Sequence, residues 1–230
     1  MQTIPLSNLL VAFVPALAVV CIQLAWSLKS HTVLHALGRM LFQLMVIGYL
    51  LNFIFRSESA WLVLGILAVM IIASSWISLR PIAQRRRELL KFALVSVAVS
   101  GLLVLLLVTQ GVLGLSPWFT PHYLIPLAGM IFSSAMNSVS IAAERFYAEL
   151  EQAVPANDAK LTAFNVALVP TVNSLFAVGL VSLPGMMTGQ ILSGISPLIA
   201  VRYQIMVMCM IFGVSGIAAA LFLSLVARRR

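Results

Sequence analysis

Charge is almost absent from long stretches of this chain. Seven apolar segments follow one another: Leu9–Leu28, Leu37–Phe55, Ala60–Leu79, Phe92–Val112, Tyr123–Ala143, Leu161–Leu183 and Leu198–Ala227. A run of about 20 apolar residues is long enough to cross the hydrocarbon core of a bilayer as a helix. Hydrocarbon offers no partner to backbone N–H and C=O groups, and a helix satisfies them within one segment. The sequence therefore predicts an all-α fold, a polytopic transmembrane helix bundle of about seven spans in a single domain over residues 1–230. Composition agrees, because 62% of the residues are hydrophobic and only 9% charged. Soluble domains run at about 45–50% apolar and about 25% charged. Twenty charges, 14 basic and 6 acidic, cannot cover a soluble surface of 230 residues. A soluble enzyme, a nucleic-acid-binding domain and a disordered regulator are excluded.

The net charge of +8 points to lipid and topology, because the cations cluster at the ends of the apolar runs. With the N-terminus outside, the cytoplasmic segments hold Lys29, Arg39, Arg80, Arg85, Arg86, Arg87, Lys91, Arg145, Lys160, Arg228, Arg229 and Arg230. Only Arg56 and Arg202 fall outside, a bias that insertion favours. The expected orientation is N-terminus out and C-terminus cytoplasmic, with Trp61, Trp118 and Tyr123 at the outer interface. Arg80-Pro81 closes the third span and Ser116-Pro117 follows the fourth. The runs Arg85–Arg87 and Arg228–Arg230 read as topological anchors or as a site for lipid or an acidic partner. Met1 to Asn8 contain no Lys or Arg, so no cleavable signal peptide is expected.

All six acids, Glu58, Glu88, Glu144, Glu149, Glu151 and Asp158, sit near or beyond the span edges. Proton-coupled transporters use carboxylates inside the membrane as relays, so proton coupling is not expected. Nucleotide hydrolysis within the chain is not expected either, because no Gly is followed by Lys and the phosphate-cradling G-x-x-x-x-G-K-[ST] loop is missing. There is no H-E-x-x-H, and Gly213-Val214-Ser215-Gly216 lacks the spacing of a nucleophile elbow. Cys21 and Cys209 lie alone in apolar runs and read as inert thiols. Neither a catalytic residue nor a metal ligand set is expected.

Uncharged polarity remains inside the spans: Asn137, Ser138 and Ser140 on the fifth, and Asn165, Thr171, Asn173 and Ser174 on the sixth. Thr188 and Gln190 follow in the next connection. Two readings stand, interhelical bonding and the polar wall of a pathway, with Asn137, Asn173, Thr188 and Gln190 as pathway candidates. Pro170 is expected to kink the sixth span. The segment Pro184–Pro197 holds Gly185, Met186, Met187, Gly189 and Gly194, and is expected to be irregular. Irregular backbone at membrane depth must be buried in protein or line water, which suggests a gate-like or re-entrant element, or a lid on the outer surface. Met186, Met187, Met206, Met208 and Met210 read as adaptable packing rather than a soft-metal site. His31 and His35, one turn apart, read as solvated interfacial residues, and His122 stands alone.

Val178-Gly179-Leu180-Val181-Ser182-Leu183-Pro184-Gly185-Met186-Met187-Thr188-Gly189-Gln190-Ile191-Leu192, continuing through Pro197 to Arg202-Tyr203-Gln204-Ile205-Met206-Val207-Met208, closely resembles the FetB-like ABC permeases. Ala128-Gly129-Met130-Ile131, Ala135-Met136-Asn137 and Val169-Pro170-Thr171-Val172-Asn173-Ser174 support the match. A weaker one joins Gly38-Arg39 with Gln43, Gly48-Tyr49 and Ile54-Phe55. The resemblance implies a permease domain in the cytoplasmic (inner) membrane that exports iron or a related metal. It also implies a separately encoded ABC ATPase, which binds the ATP so that the chain itself needs no cofactor, and a homodimeric permease in a two-plus-two complex. Where this family carries a longer helical stretch, Glu144–Lys160 is short and contains Val154-Pro155-Ala156-Asn157. Glu144, Glu149 and Glu151 there are expected to couple to the ATPase, or else the segment is a solvated connector. An ATPase-independent channel, a permease for a non-metal solute and a non-transporting scaffold are the competing classes.

Overall fold

The computed structural model describes residues 5–27, 31–56 and 59–229. The chain divides into two compact units, Met1–Ser57 and Glu58–Arg230. Of the charges placed above, Lys29, Glu58, Arg230 and the side chain of Arg56 lie outside the described residues.

The first unit holds α1 (Leu6–Val11), α2 (Val14–Ala25) and α3 (His31–Arg56). The first expected span is thus interrupted. Pro15 has no N–H, and its ring meets the carbonyl four residues back, on Val11, where α1 stops. The same proline fits the first turn of α2, where an N–H has no intrahelical partner anyway. α3 begins a turn and a half before the expected Leu37 and carries His31 and His35, both exposed, near its start.

The second unit holds α4 (Ala60–Ser78), α5 (Arg86–Leu106), α6 (Pro121–Glu151), α7 (Ala156–Ala177), α8 (Gly185–Leu192) and α9 (Pro197–Ala227). A 3-10 turn at Ala83–Arg85 leads into α5, and a π-helical turn at Leu107–Val112 continues it. α6 is the hub, packed against α4, α5, α7 and α9, while α9 also meets α5, α7 and α8. Lipid tails are as apolar as Leu, so helices here associate by close packing rather than by escape from water, and small residues permit it. The buried faces are made of such residues: Ala93, Ser96, Ser100 and Gly101 on α5, Ala128, Ala135 and Ala142 on α6, Ala159, Ala163 and Ala167 on α7, and Ala218 and Ala219 on α9. Phe132, Phe146 and Phe222 fill the spaces between them. Hydroxyls in α4 and α5 are satisfied within their own helices: Ser75 donates to the Ile71 carbonyl at 2.7 Å and Ser96 to Phe92 at 2.7 Å.

Six segments among the described residues are long and apolar enough to cross a membrane: Asn8–Ala25, His31–Phe55, Ala60–Ser78, Ala83–Val112, Pro121–Glu151 and Pro197–Ala227. α7 has 22 residues, about 33 Å at 1.5 Å per residue, and is long enough by length alone. Asn165, Pro170 and Asn173 interrupt its apolar run, and it is not among the six. It also ends at Ala177, short of the expected Leu183. Gly179 there turns the chain at φ +83°, a left-handed conformation that Gly adopts without a Cβ penalty, and its N–H donates to the Ser182 carbonyl at 3.0 Å.

In the second unit the basic residues collect at one end of the bundle. Arg229 pairs with Glu88 at 2.8 Å, which joins the end of α9 to the start of α5. The Arg86 guanidinium lies 3.8 Å from the Trp76 ring centroid and donates through Nε to the Trp76 carbonyl at 2.9 Å. Trp61, Trp118, Tyr123 and Arg202 belong to the opposite helix ends.

Gly101 sets the approach of α5 to α6. A Cβ there would lie 2.4 Å from the Cε1 of Phe132, a ring only 2% exposed. Gly101→Val is expected to destabilise the bundle by roughly 1–3 kcal/mol, the usual cost of overpacking, measured as a lower unfolding temperature of the purified protein in detergent. An unchanged transition would show that the α5–α6 approach tolerates a side chain.

Candidate functional site

Three adjoining cavities follow the seam between α6, α7, α8 and α9. The first, about 260 Å³, lies near the helix ends opposite the basic cluster and is lined by His122, Tyr123, Met130, Met186, Tyr203 and Met206 among others. The second, about 310 Å³, shares Met130 and Met186 with the first and adds Ser174, Ser182, Gln204 and Met208. The third, about 140 Å³, shares Ser174 and Ile211 with the second and adds Asn137, Ser138, Pro170, Thr171 and Ser215. The shared walls make one seam that runs from that end toward the middle of the bundle. Among the described residues, no carboxylate lines any of the three.

The polar residues along the seam divide into two kinds. Ser138 donates to the Ser215 carbonyl at 2.7 Å, bridging α6 to α9 in a buried position. Thr171 Oγ1 lies 3.5 Å from Ser215 Oγ and brings α7 to the same point. Ser215 is therefore a joint between helices, in line with its unsuitability as a nucleophile. Asn137, one residue from Ser138, is exposed to the third cavity and has no hydrogen bond among the described residues. The interhelical-bonding reading fits Ser138, and the wall reading fits Asn137.

The other pathway candidates lie elsewhere. Asn173 is exposed and lies outside the three cavities. Asn165 is exposed as well and lies opposite the buried Ala159, Ala163 and Ala167. Thr188 donates to the Pro184 carbonyl at 3.1 Å and stabilises the first turn of α8. Gln190 has a buried Oε1 with no partner and lines none of the three cavities.

The expectation that Pro184–Pro197 cannot be helical is corrected. α8 occupies Gly185–Leu192, with Pro184 as its extended N-cap residue. Gly189 is accommodated inside it at a cost of about 1 kcal/mol relative to Ala. Gly194, at φ +89°, closes the helix: its N–H donates to Ile191 at 2.9 Å and that of Ile195 to Gln190 at 3.0 Å. That pair of bonds is the Schellman motif, which calls for Gly at this position. Pro184, Gly185 and Met186 line the second cavity, whereas Met187, Gly189 and Gly194 do not. Met210 packs in the core, and Met206 and Met208 line the first and second cavities respectively.

The acidic segment is helix, turn and helix. α6 runs on through Glu151, far beyond the expected Ala143, and the chain turns at Ala153 (φ +61°) before α7 begins. Glu149 is buried and pairs with Arg145 one turn earlier. Glu144 and Glu151 are exposed, and Glu151 borders a polar cavity of about 340 Å³ with Arg85 and Tyr147. The Arg85 guanidinium sits 4.9 Å from the Tyr147 ring centroid.

Among the described residues, no three His, Cys, Asp or Glu side chains come together as a metal site, and Cys21 and Cys209 are free and exposed. Sequence reasoning missed Gln204. It is 5% exposed, and its Oε1 has no hydrogen-bond partner although it lines a cavity. A lone amide inside an apolar span was the available signal, since such a group must find protein or water.

A helical bundle with apolar spans, one basic end and an internal seam of neutral polar groups defines a multi-pass membrane protein. Residues 6–162 and 155–230 match the model of the Uncharacterised protein family (UPF0014). The chain belongs to this family. It is 36% identical over 189 residues to a UPF0014 membrane protein of Synechocystis, covering 76% of this chain and 73% of that one. It is 33% identical to the probable iron export permease protein FetB of Escherichia coli, over 81% of this chain and 76% of that one. It is 34% identical to the UPF0014 membrane protein STAR2 of rice, over 90% and 79% respectively. No solved structure matches it.

Ser138→Ala is expected to cost about 0.6–1.7 kcal/mol of bundle stability, the range for interhelical hydrogen bonds in membranes, read by thermal unfolding in detergent. Asn137→Ala, at the cavity wall, is expected to leave the unfolding temperature unchanged. The reverse order would make Asn137 the structural residue.

Proposed function

We propose that this chain is the permease subunit of an ABC exporter that moves iron or a related metal out of the cell. One observation carries the reading: the similarity to a protein named an iron export permease extends along most of both chains. The chemistry of the chain agrees with it. No phosphate-binding loop and no carboxylate at the centre of a span supply energy from within, so uphill movement draws on a separate ATPase that binds and hydrolyses ATP. Residues 1–230 act together as one permease domain in the cytoplasmic membrane, with the basic end of the bundle inside and the N-terminus outside.

Two copies join two ATPase subunits. The outward face of α7 supports this pairing, because amides at membrane depth must face protein or water rather than lipid. Asn165 is exposed there with Val169 and Phe176, and Asn173 is exposed as well. Glu144 and Glu151, at the basic end, are the acids open to a basic surface on the ATPase, while Glu149 stiffens the end of α6 through Arg145. ATP binding draws the two cytoplasmic faces together, and α6 and α7 carry the motion to the seam. Asn137 lines the route, and α8 with Pro184, Gly185 and Met186 gates its outer part.

The test is ATP-dependent metal uptake into inverted membrane vesicles that hold this chain and the ABC ATPase encoded beside it. Iron is tested first and other metals in parallel. Uptake is expected only with both subunits and ATP, and Asn137→Ala is expected to reduce it roughly tenfold, the equivalent of 1.4 kcal/mol, at unchanged protein level. Passive metal entry with this chain alone would favour the channel, and no metal movement under any condition would favour a non-metal cargo.

A further inference from the structure

Four thioethers from three helices surround the first two cavities: Met130 on α6, Met186 on α8, and Met206 and Met208 on α9. The residues come from distant parts of the chain, so sequence spacing alone could not bring them together. Gln204 stands on the wall of the second cavity, 5% exposed, with an Oε1 that has no hydrogen-bond partner. An unpaired buried carbonyl oxygen carries a desolvation penalty that a ligand can relieve. His122 adds an imidazole to the wall of the first cavity.

The thioethers and the amide carry no charge, and most of the donors are soft. Thioether sulfur selects Cu(I) among the first-row ions, while carboxylate and water suit Mg, Ca and Mn. Among the described residues, neither cavity has a carboxylate on its wall to balance charge. The cost of moving an ion from water into a medium of low dielectric grows with the square of its charge, so a divalent ion pays about four times and a trivalent ion about nine times what a monovalent ion pays. A site built of neutral sulfur, one amide oxygen and one imidazole therefore favours a single, soft positive charge.

We propose that the second cavity of the seam binds a soft monovalent cation, Cu(I) or Ag(I), held by the thioethers of Met130, Met186 and Met208 with Gln204 Oε1 as the oxygen donor, and that Met206 lines its way through the first. Its meaning as a cargo rests on the export reading above, whereas the binding rests on the donor set alone. The ion held by Gln204 and Met208 exchanges onto Met130 and Met186, which both cavities share, and regains its water at the mouth of the first cavity. Bare hard cations of higher charge find no comparable ligands on these walls.

The full chain, purified in detergent without any ATPase and carrying C21S and C209S to remove its two exposed thiols, is titrated with silver nitrate in chloride-free buffer by calorimetry. Manganous ion is titrated as the hard counterpart. Saturable Ag(I) binding with no manganous binding is expected. The M186L/M208L variant should bind Ag(I) at least roughly tenfold more weakly, the scale of losing metal-supporting groups. M206L and Q204L, read singly by X-ray absorption at the silver edge, guard against a double variant that does not fold, and sulfur scatterers are expected around the bound silver in both. No saturable Ag(I) binding, binding that the methionine changes leave intact, or a silver shell of nitrogen and oxygen alone would each overturn the proposal. If binding behaves as expected while vesicles move no metal with ATP, the export reading fails and the site stands.

Discussion

Everything in the second unit depends on how closely helices can approach in a solvent that does not push them together. Water would drive apolar faces into contact, but lipid does not, so attraction must come from dispersion between closely fitted surfaces. α6 meets this requirement with Ala128, Ala135 and Ala142 buried along its length, and α7 answers with Ala159, Ala163 and Ala167. Gly101 on α5 leaves room for the Phe132 ring to lie against the backbone of its neighbour. The large rings of Phe132, Phe146 and Phe222 then fill what the small residues leave open. The seam exists because α7, α8 and α9 cannot all fit this closely where Pro170, Pro184 and the methionines intervene.

The polar groups follow the same logic. A hydroxyl can bond back to its own helix, so Ser75, Ser96 and Ser100 are satisfied locally and add little between helices. An amide is too long and too demanding to be satisfied this way. Asn137, Gln190 and Gln204 consequently keep free polar atoms, and two of the three border cavities. The contrast separates groups bonded within the bundle from groups whose polar atoms have no protein partner among the described residues.

The spans were legible because apolar runs of the right length have one stable outcome in a bilayer. α4 and α9 begin and end within a residue or two of their expected bounds. The breaks at α1–α2 and within Pro184–Pro197 were less legible, since they depend on local bonds. Pro15 divides what reads as a continuous run, while Gly185 and Gly189 sit inside a helix that Gly194 closes. Asn137 was visible as a polar residue in an apolar segment, and it lines the third cavity. Asn173 and Thr188 carried the same signal but point elsewhere, because periodicity along one helix does not say which neighbour covers which face. Gln204 and the gathering of Met130, Met186, Met206 and Met208 needed the three-dimensional arrangement of α6, α8 and α9.

The composition of α7 has a further consequence for how the protein is made. A nascent segment leaves the translocation machinery for lipid when its transfer is favourable, and central amides and a proline weigh against that step. α7 carries Asn165, Pro170 and Asn173, while α6 before it and α9 after it are among the segments long and apolar enough to cross a membrane. A segment of that kind depends on the helices it packs against, and α7 packs against both α6 and α9. The helix that borders two of the three cavities is thus the one whose place rests most on its neighbours.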